Sequence, residues 1–253
     1  VGVPRKVDRA QRKSMGVREK SAMLTGNVKC DPSGSLLPEK RSEFSAMLEQ
    51  FPKRPIAMAI STFPGEEEYL DDVFREVGYQ PVIVPRHAER RAEVSEALDG
   101  NVILRSQFQQ PLGSESFVID STGELRDWTA HADIVVIGKS FFEEGGQNPS
   151  EAILAEVPVI CGPNMSNFEP LVTELKEAGG ICMVSSREEL VSALRKIPIG
   201  QVQRARVVLE KHKGAMSRTI SLFLEGKPAT TNLRDHWTVF DSRRRLVHLR
   251  IPL

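Results

Sequence analysis

Gly145-Gly146-Gln147-Asn148-Pro149-Ser150-Glu151 brings paired glycines, a helix start and a carboxylate into one short stretch. Glycine lets backbone approach a ligand closely, and the free amides at a helix N-terminus favour an anion. Asn148 is a good N-cap, Pro149 suits the first helical position, and Glu151 lies where its carboxylate can reach back to the cap's amide. Those features also describe an ordinary helix start, and the two readings are compatible. Two further stretches carry similar chemistry. In Pro85-Arg86-His87-Ala88-Glu89-Arg90-Arg91, an arginine at the end of an apolar run offers a fork-like grip on phosphate or carboxylate, or else an ion pair with Glu89. In Thr122-Gly123-Glu124, the acid either accepts hydrogen bonds from ribose hydroxyls or complements the dipole of a following helix.

What must position these residues is a repeating strand and helix pattern. Ile56–Thr62, Gln80–Arg86, residues 101–108, Ser116–Asp120, Ala132–Gly138, Val157–Gly162 and Gly180–Val184 read as buried strands. Helical patterns separate most of them, starting at Pro64-Gly65-Glu66-Glu67-Glu68, over 88–99 and after Asn148, and two more helices close the unit at 186–197 and about 201–225. Such alternation predicts an α/β fold: a Rossmann-like parallel sheet with helices on both faces. Each of the three stretches then lies where a strand ends, and open sheets of this kind bind ligands beyond the carboxyl ends of their strands. One cation, two carboxylates and one helix start are thereby expected around one sheet edge.

The flanks are plainer. Residues 1–40 read as a linker and the remnant of a preceding helix, with a short strand and a turn at Gly26-Asn27, and a short amphipathic helix spans 40–50. Lys29 in that stretch is on its own merits a solvated surface charge. Residues 41–227 form the expected domain, and 228–253, with its Arg243-Arg244-Arg245 run, is a divergent tail to which no function is assigned.

Composition and missing motifs narrow the chemistry. Lys+Arg and Asp+Glu both number 34, so a nucleic-acid partner is disfavoured. Cys30, Cys161 and Cys182 are odd in number and two fall in apolar runs, which fits reduced buried thiols in a cytoplasmic, soluble chain. No apolar run approaches the ~20 residues of a membrane span. No Gly-x-Gly-x-x-Gly follows the first strand and no Walker-type Gly-x-x-x-x-Gly-Lys occurs, which argues against nicotinamide and P-loop chemistry. His87, His131, His212, His236 and His248 are scattered without ligand spacing, so no metal and no cofactor are expected.

Thr25-Gly-Asn-Val-Lys29, Ser61-Thr-Phe-Pro-Gly-Glu-Glu67, Val84-Pro-Arg-His-Ala-Glu-Arg90, Asp120-Ser-Thr-Gly-Glu-Leu125, Gly145–Glu151, Val157–Pro163 and Asn167-Phe168 occur in one order. Together they resemble the bacterial 3-deoxy-D-manno-octulosonic acid (Kdo) transferases over roughly residues 5–227. The resemblance implies the C-terminal half of a B-type glycosyltransferase, in which a Rossmann-like domain holds the donor CMP-Kdo. It implies that Pro85 and Arg86, then Thr122, Gly123 and Glu124, then Asn148, Pro149, Ser150 and Glu151 contact the CMP moiety. Lys29 is similar to the lysine that stabilises transition-state charge in that family. The acceptor would be a lipid A precursor in lipopolysaccharide synthesis, at the cytoplasmic face of the inner membrane. The acceptor domain, the membrane-associated part and the general base would all precede Val1, so this chain alone is expected to be inactive.

The chain departs from the family pattern at several positions. The family has His at the positions of Phe63 and Gln147, Leu at that of Ser150 and Gly at that of Lys139. Phe63 cannot hydrogen-bond, and Gln147 does not titrate. A non-catalytic nucleotide-binding module and a nucleotide-sugar epimerase-like protein are the alternative readings, and the order and spacing of the motifs argue against the epimerase.

Overall fold

In the computed structural model, the described residues are 2–3, 6–16, 22–32, 37–225, 237–240 and 246–249. The elements in chain order begin with β1 (Gly2–Val3), α1 (Lys6–Ser14), β2 (Met23–Leu24), α2 (Ser42–Leu48), β3 (Ile56–Thr62), α3 (Glu66–Val77), β4 (Gln80–Pro85) and α4 (Arg91–Ala97). They continue with β5 (Val102–Leu104), β6 (Ser116–Val118), α5 (Leu125–Thr129), β7 (Ile134–Ile137), α6 (Ser150–Leu154), β8 (Val159–Cys161), α7 (Glu169–Glu177) and β9 (Cys182–Met183). Helices α8 (Arg187–Arg195), α9 (Gln201–Lys211) and α10 (Ala215–Glu225) and strands β10 (Trp237–Phe240) and β11 (Leu246–Leu249) complete the chain.

Two compact units emerge, Asn27–Lys213 and Val1–Gly26 with Gly214–Leu253. These limits differ from the 41–227 span expected from sequence. In the smaller unit β1 pairs in parallel with β2, β10 and β11 form an antiparallel hairpin, and the Arg218 guanidinium donates to the Thr25 carbonyl at 2.8 Å.

The larger unit is built on one seven-stranded sheet of order β5-β6-β4-β3-β7-β8-β9, parallel throughout. Its strands read as continuous apolar runs because both faces are covered. Side chains alternate between the faces. Met58, Ile60, Val82, Val84, Val135 and Ile137 join one core with residues of α2, α5, α6, α7 and α9. Ala57, Ala59, Ile83, Ile134 and Val136 join the other with residues of α3, α4 and α8. The chain winds from β3 toward β5 with α3 and α4 on one face, then from β7 toward β9 with α6 and α7 on the opposite face. Right-handed crossovers require that change of face when the winding direction reverses. The reversal places the switch point between β3 and β7, the position beyond whose carboxyl ends open α/β sheets bind their ligands.

Several sequence expectations need correction. Residues 88–99 form a 3-10 turn at Ala88–Arg90 followed by α4, not one helix. The long helix expected over 201–225 is broken at Gly214, whose φ of +81° an α-helix cannot hold. Strand 101–108 ends at Leu104, and Arg105–Gln107 turn as 3-10 helix.

Candidate functional site

Because the sheet is parallel, the loops after β3, β4, β6 and β7 all leave one edge, and these loops hold most of the residues singled out from sequence. At the end of β4, Pro85 is buried and Arg86 is exposed, its amide donating to the Thr62 carbonyl of β3 at 3.1 Å. Arg86 makes no ion pair among the described residues, so the alternative pairing with Glu89 is not formed. Arg90 takes the structural role instead. It donates to Glu67 at 2.8 Å and to the Thr62 carbonyl at 3.2 Å, and makes a two-armed bond to Glu93. The Thr62 hydroxyl donates to the same Glu67 oxygen at 2.9 Å. The loop carrying Arg86 is thereby fixed to the start of α3 through a buried carboxylate.

Glu66, fully buried, ties β3 to β7 across the switch point. Its carboxylate accepts the amides of Phe63 (3.0 Å), Lys139 (2.6 Å), Ser140 (3.0 Å) and Phe141 (3.1 Å). Nothing local in the sequence marks Glu66 for this role, which depends on the turn after β7 that presents three amides in succession. Gly138 permits this close approach, since a Cβ there would lie 2.5 Å from the Ser61 carbonyl oxygen.

The paired glycines serve packing. Gly145 and Gly146 take φ of +109° and +66°, and a Cβ on either would fall 2.4 Å from Asn167 or Met165 side-chain atoms. The Gly146 amide donates to the Lys139 carbonyl at 2.9 Å, and Gly145 accepts the Asn167 amide at 3.0 Å. The loop is set against residues 164–167 and delivers Asn148 to the start of α6. Asn148 lies one residue ahead of the cap position, Pro149, and still supplies a capping bond, its side-chain oxygen accepting the Ser150 amide at 3.0 Å. The reciprocal bond from Glu151 is not made, so the capping box is half formed. Instead Asn148 donates to the Lys29 carbonyl at 3.2 Å. Lys29, exposed on a 3-10 turn capped by Asn27, is thus brought beside the α6 start. Glu151 is half-buried, and that burial raises its carboxyl above the usual carboxylate range, while the charges of Arg126 and Arg86 pull it back. Arg86 and Glu151 therefore share one electrostatic environment. Pro149 is buried, as is Ser150, whose hydroxyl has no partner among the described residues.

At the end of β6, Thr122 and Gly123 are exposed, with Gly123 at φ +84°. Glu124 is more occupied than the sequence suggests. It accepts from the Ser121 hydroxyl, from Trp128 Nε1 at 3.3 Å and from Arg105 at 3.4 Å. The three cysteines are free thiols, and burial pushes Cys30 to about 11 and Cys161 to about 12, so neither is nucleophilic at neutral pH. Among the described residues no helix is long and apolar enough to cross a membrane, and no His, Cys, Asp and Glu group could hold a metal ion.

No family model matches the chain. It is 29% identical over 226 residues to the 3-deoxy-D-manno-octulosonic acid transferase of Haemophilus influenzae, covering 83% of this chain and 52% of that protein. A probable mitochondrial 3-deoxy-D-manno-octulosonic acid transferase of Arabidopsis thaliana is 36% identical over 121 residues, 45% of this chain and 27% of that one. The chain spans about half the length of the Haemophilus relative it matches. Among solved structures, the C-terminal CMP-Kdo binding domain of WaaA from Acinetobacter baumannii superposes with a TM-score of 0.58 at 25% identity, covering 66% of this chain and 96% of that domain. Anabaena Alr3699/HepE in complex with UDP-glucose shares the fold at TM-score 0.55 and 13% identity, over 90% of this chain and 64% of that one. The seven-stranded parallel sheet with its helices matches that of B-type glycosyltransferase structures, and sequence and fold together make the chain similar to the C-terminal domain of the Kdo transferases.

Proposed function

We propose that this chain is the donor-binding part of a Kdo transferase and holds CMP-Kdo at the carboxyl edge of its sheet. The observation that supports this most directly is Arg86, exposed at the end of β4 and without an ion pair among the described residues, its charge acting on Glu151 at the start of α6. Arg86, with Pro85 beneath it, grips the phosphate; Glu151 and the turn Thr122-Gly123-Glu124 offer acceptors to ribose and base; Asn148, Pro149 and Ser150 set the α6 start. Glu124 meets the nucleotide only by sharing oxygens it already commits to Ser121, Trp128 and Arg105.

The reaction proposed is attack of a sugar hydroxyl of a lipid A precursor on the anomeric carbon of CMP-Kdo, with CMP leaving. Negative charge grows on the departing phosphate, and fixed cations aimed at it lower the barrier. Lys29, held beside the α6 start through its carbonyl bond to Asn148, supplies such a charge together with Arg86. Deprotonating the hydroxyl needs a base within hydrogen-bond reach, a role assigned to the acceptor-binding part of the enzyme at the inner membrane.

Calorimetric titration with CMP and UDP tests the reading. Preference for CMP, lost in Arg86→Ala, is the expected result; preference for UDP, or binding indifferent to Arg86, would sink it.

A further inference from the structure

Lys139 is out of place by the ordinary rules of backbone and charge. It follows Gly138 at the end of β7 and takes φ of +54°, a left-handed conformation that costs a side chain with a Cβ. Strain of this kind persists where the surroundings fix it, and it concentrates at sites of function. Here the surroundings are explicit: the Lys139 amide donates to buried Glu66 at 2.6 Å and its carbonyl accepts Gly146 at 2.9 Å. The backbone is held from both sides and the side chain is carried with it. Its ammonium sits 4.7 Å from the centre of the Phe63 ring, and among the described residues no carboxylate pairs with it. Phe63 in turn meets the His87 ring edge-on at 6.4 Å, next to Arg86. Lys139, Phe63 and His87 thus form a row across the carboxyl ends of β7, β3 and β4, at the switch point of the sheet.

From this arrangement we infer that Lys139 is a second phosphate-binding cation of the cleft, seated on Phe63 and acting beside Arg86 on the nucleotide's phosphate. A ring face attracts an ammonium without neutralising it, so the charge stays available to an anion. The inference rests on the CMP reading above and adds to it a residue on a different strand.

The test compares CMP with cytidine, which lacks the phosphate, on the full chain and on Lys139→Met, Lys139→Arg and Arg86→Ala. Lys139→Met keeps the length and the strained backbone but removes the charge. It should weaken CMP on the order of tenfold, as loss of a charged hydrogen bond does, and leave cytidine, followed by ligand-observed NMR, unchanged. Lys139→Arg should retain most of the CMP affinity. Lys139→Gly, free of the strain, should bind CMP as weakly as Lys139→Met while unfolding at higher urea. Unaltered CMP affinity in Lys139→Met, or equal losses for CMP and cytidine, would overturn the inference. If Arg86→Ala loses CMP and Lys139→Met does not, only Lys139 is removed from the site; if the unmodified chain does not bind CMP, the donor reading falls with it.

Discussion

The Asn148 side chain donates to the Lys29 carbonyl at 3.2 Å and accepts the Ser150 amide at 3.0 Å, joining residues 119 apart in sequence through one amide group. Two substitutions separate its jobs. Asn148→Asp keeps the acceptor that caps α6 and loses the donor to Lys29, whereas Asn148→Ala loses both. Loss of a cap costs about 0.5–2 kcal/mol. Urea denaturation should show that loss in Asn148→Ala, while in Asn148→Asp the cap survives and protection of the residue 28–30 amides from hydrogen exchange falls. Equal stability of Asn148→Ala and the parent chain would show that the cap carries nothing.

Arg86→Ala should weaken CMP by about 1.5–3 kcal/mol, the usual worth of a hydrogen bond to a charged group. Folding stability should stay unchanged, because the exposed Arg86 side chain makes no ion pair among the described residues and the Arg90–Glu67 pair, not Arg86, anchors its loop. A lowered melting temperature in Arg86→Ala would show a structural function that its exposure does not suggest.

The sheet was legible because strand and helix periods alternate over most of 54–225, and the strand ends located Arg86, Glu124 and Asn148 together. Contacts distant in sequence were not. Lys29 occupies a short turn with no periodic signal, and only the bond from Asn148 brings it to the edge. The paired Gly145 and Gly146 pointed to a ligand when read locally, yet their neighbours are Met165 and Asn167. Glu66 gave no local signal either, because nothing near it in sequence announces that the turn after Ile137 will present three amides to it.

Glu151→Gln separates binding from folding. Burial raises the Glu151 carboxyl, so its charged form is disfavoured in the folded state, and the penalty is present above its folded pKa. Glutamine removes that penalty and remains a good residue in the first turn. Melting temperature at neutral pH should hold or rise, while CMP affinity falls through weaker acceptance of ribose hydroxyls. A drop in stability with unchanged affinity would reverse the assignment.

Asp127 gives a pH dependence of definite sign. Its bond from Arg126, with further bonds from the Glu39 amide and Arg41, holds its carboxyl at about 2, below the ordinary 3.8. A depressed carboxylate contributes stability that is present above its unfolded pKa and lost as pH falls through its folded pKa. The stability gap between the parent chain and Asp127→Asn should therefore be constant near neutrality and close as pH drops from 3.8 toward about 2. A gap unchanged at pH 2 would mean that packing, not charge, is what Asp127 contributes.

Glu66→Gln bears on fold and site at once. The carboxylate accepts four backbone amides, one from the turn after β3 and three from the turn after β7. A glutamine of the same shape offers one oxygen; its amino group would face donors, leaving buried amides without acceptors. Each such group costs about 1–3 kcal/mol, so the variant should lose at least about 2 kcal/mol in urea denaturation. The same turn carries Lys139, whose carbonyl holds Gly146 and through it the approach to Asn148. CMP affinity should fall as well, although Glu66 itself is fully buried and touches no solvent. Glu66→Asp separates the two effects, since it retains the charge but is shorter by one methylene; it should recover part of the stability and less of the affinity. Full stability in Glu66→Gln would mean that the two turns are held by the sheet alone, and that the link between β3 and β7 at the switch point does not depend on this carboxylate.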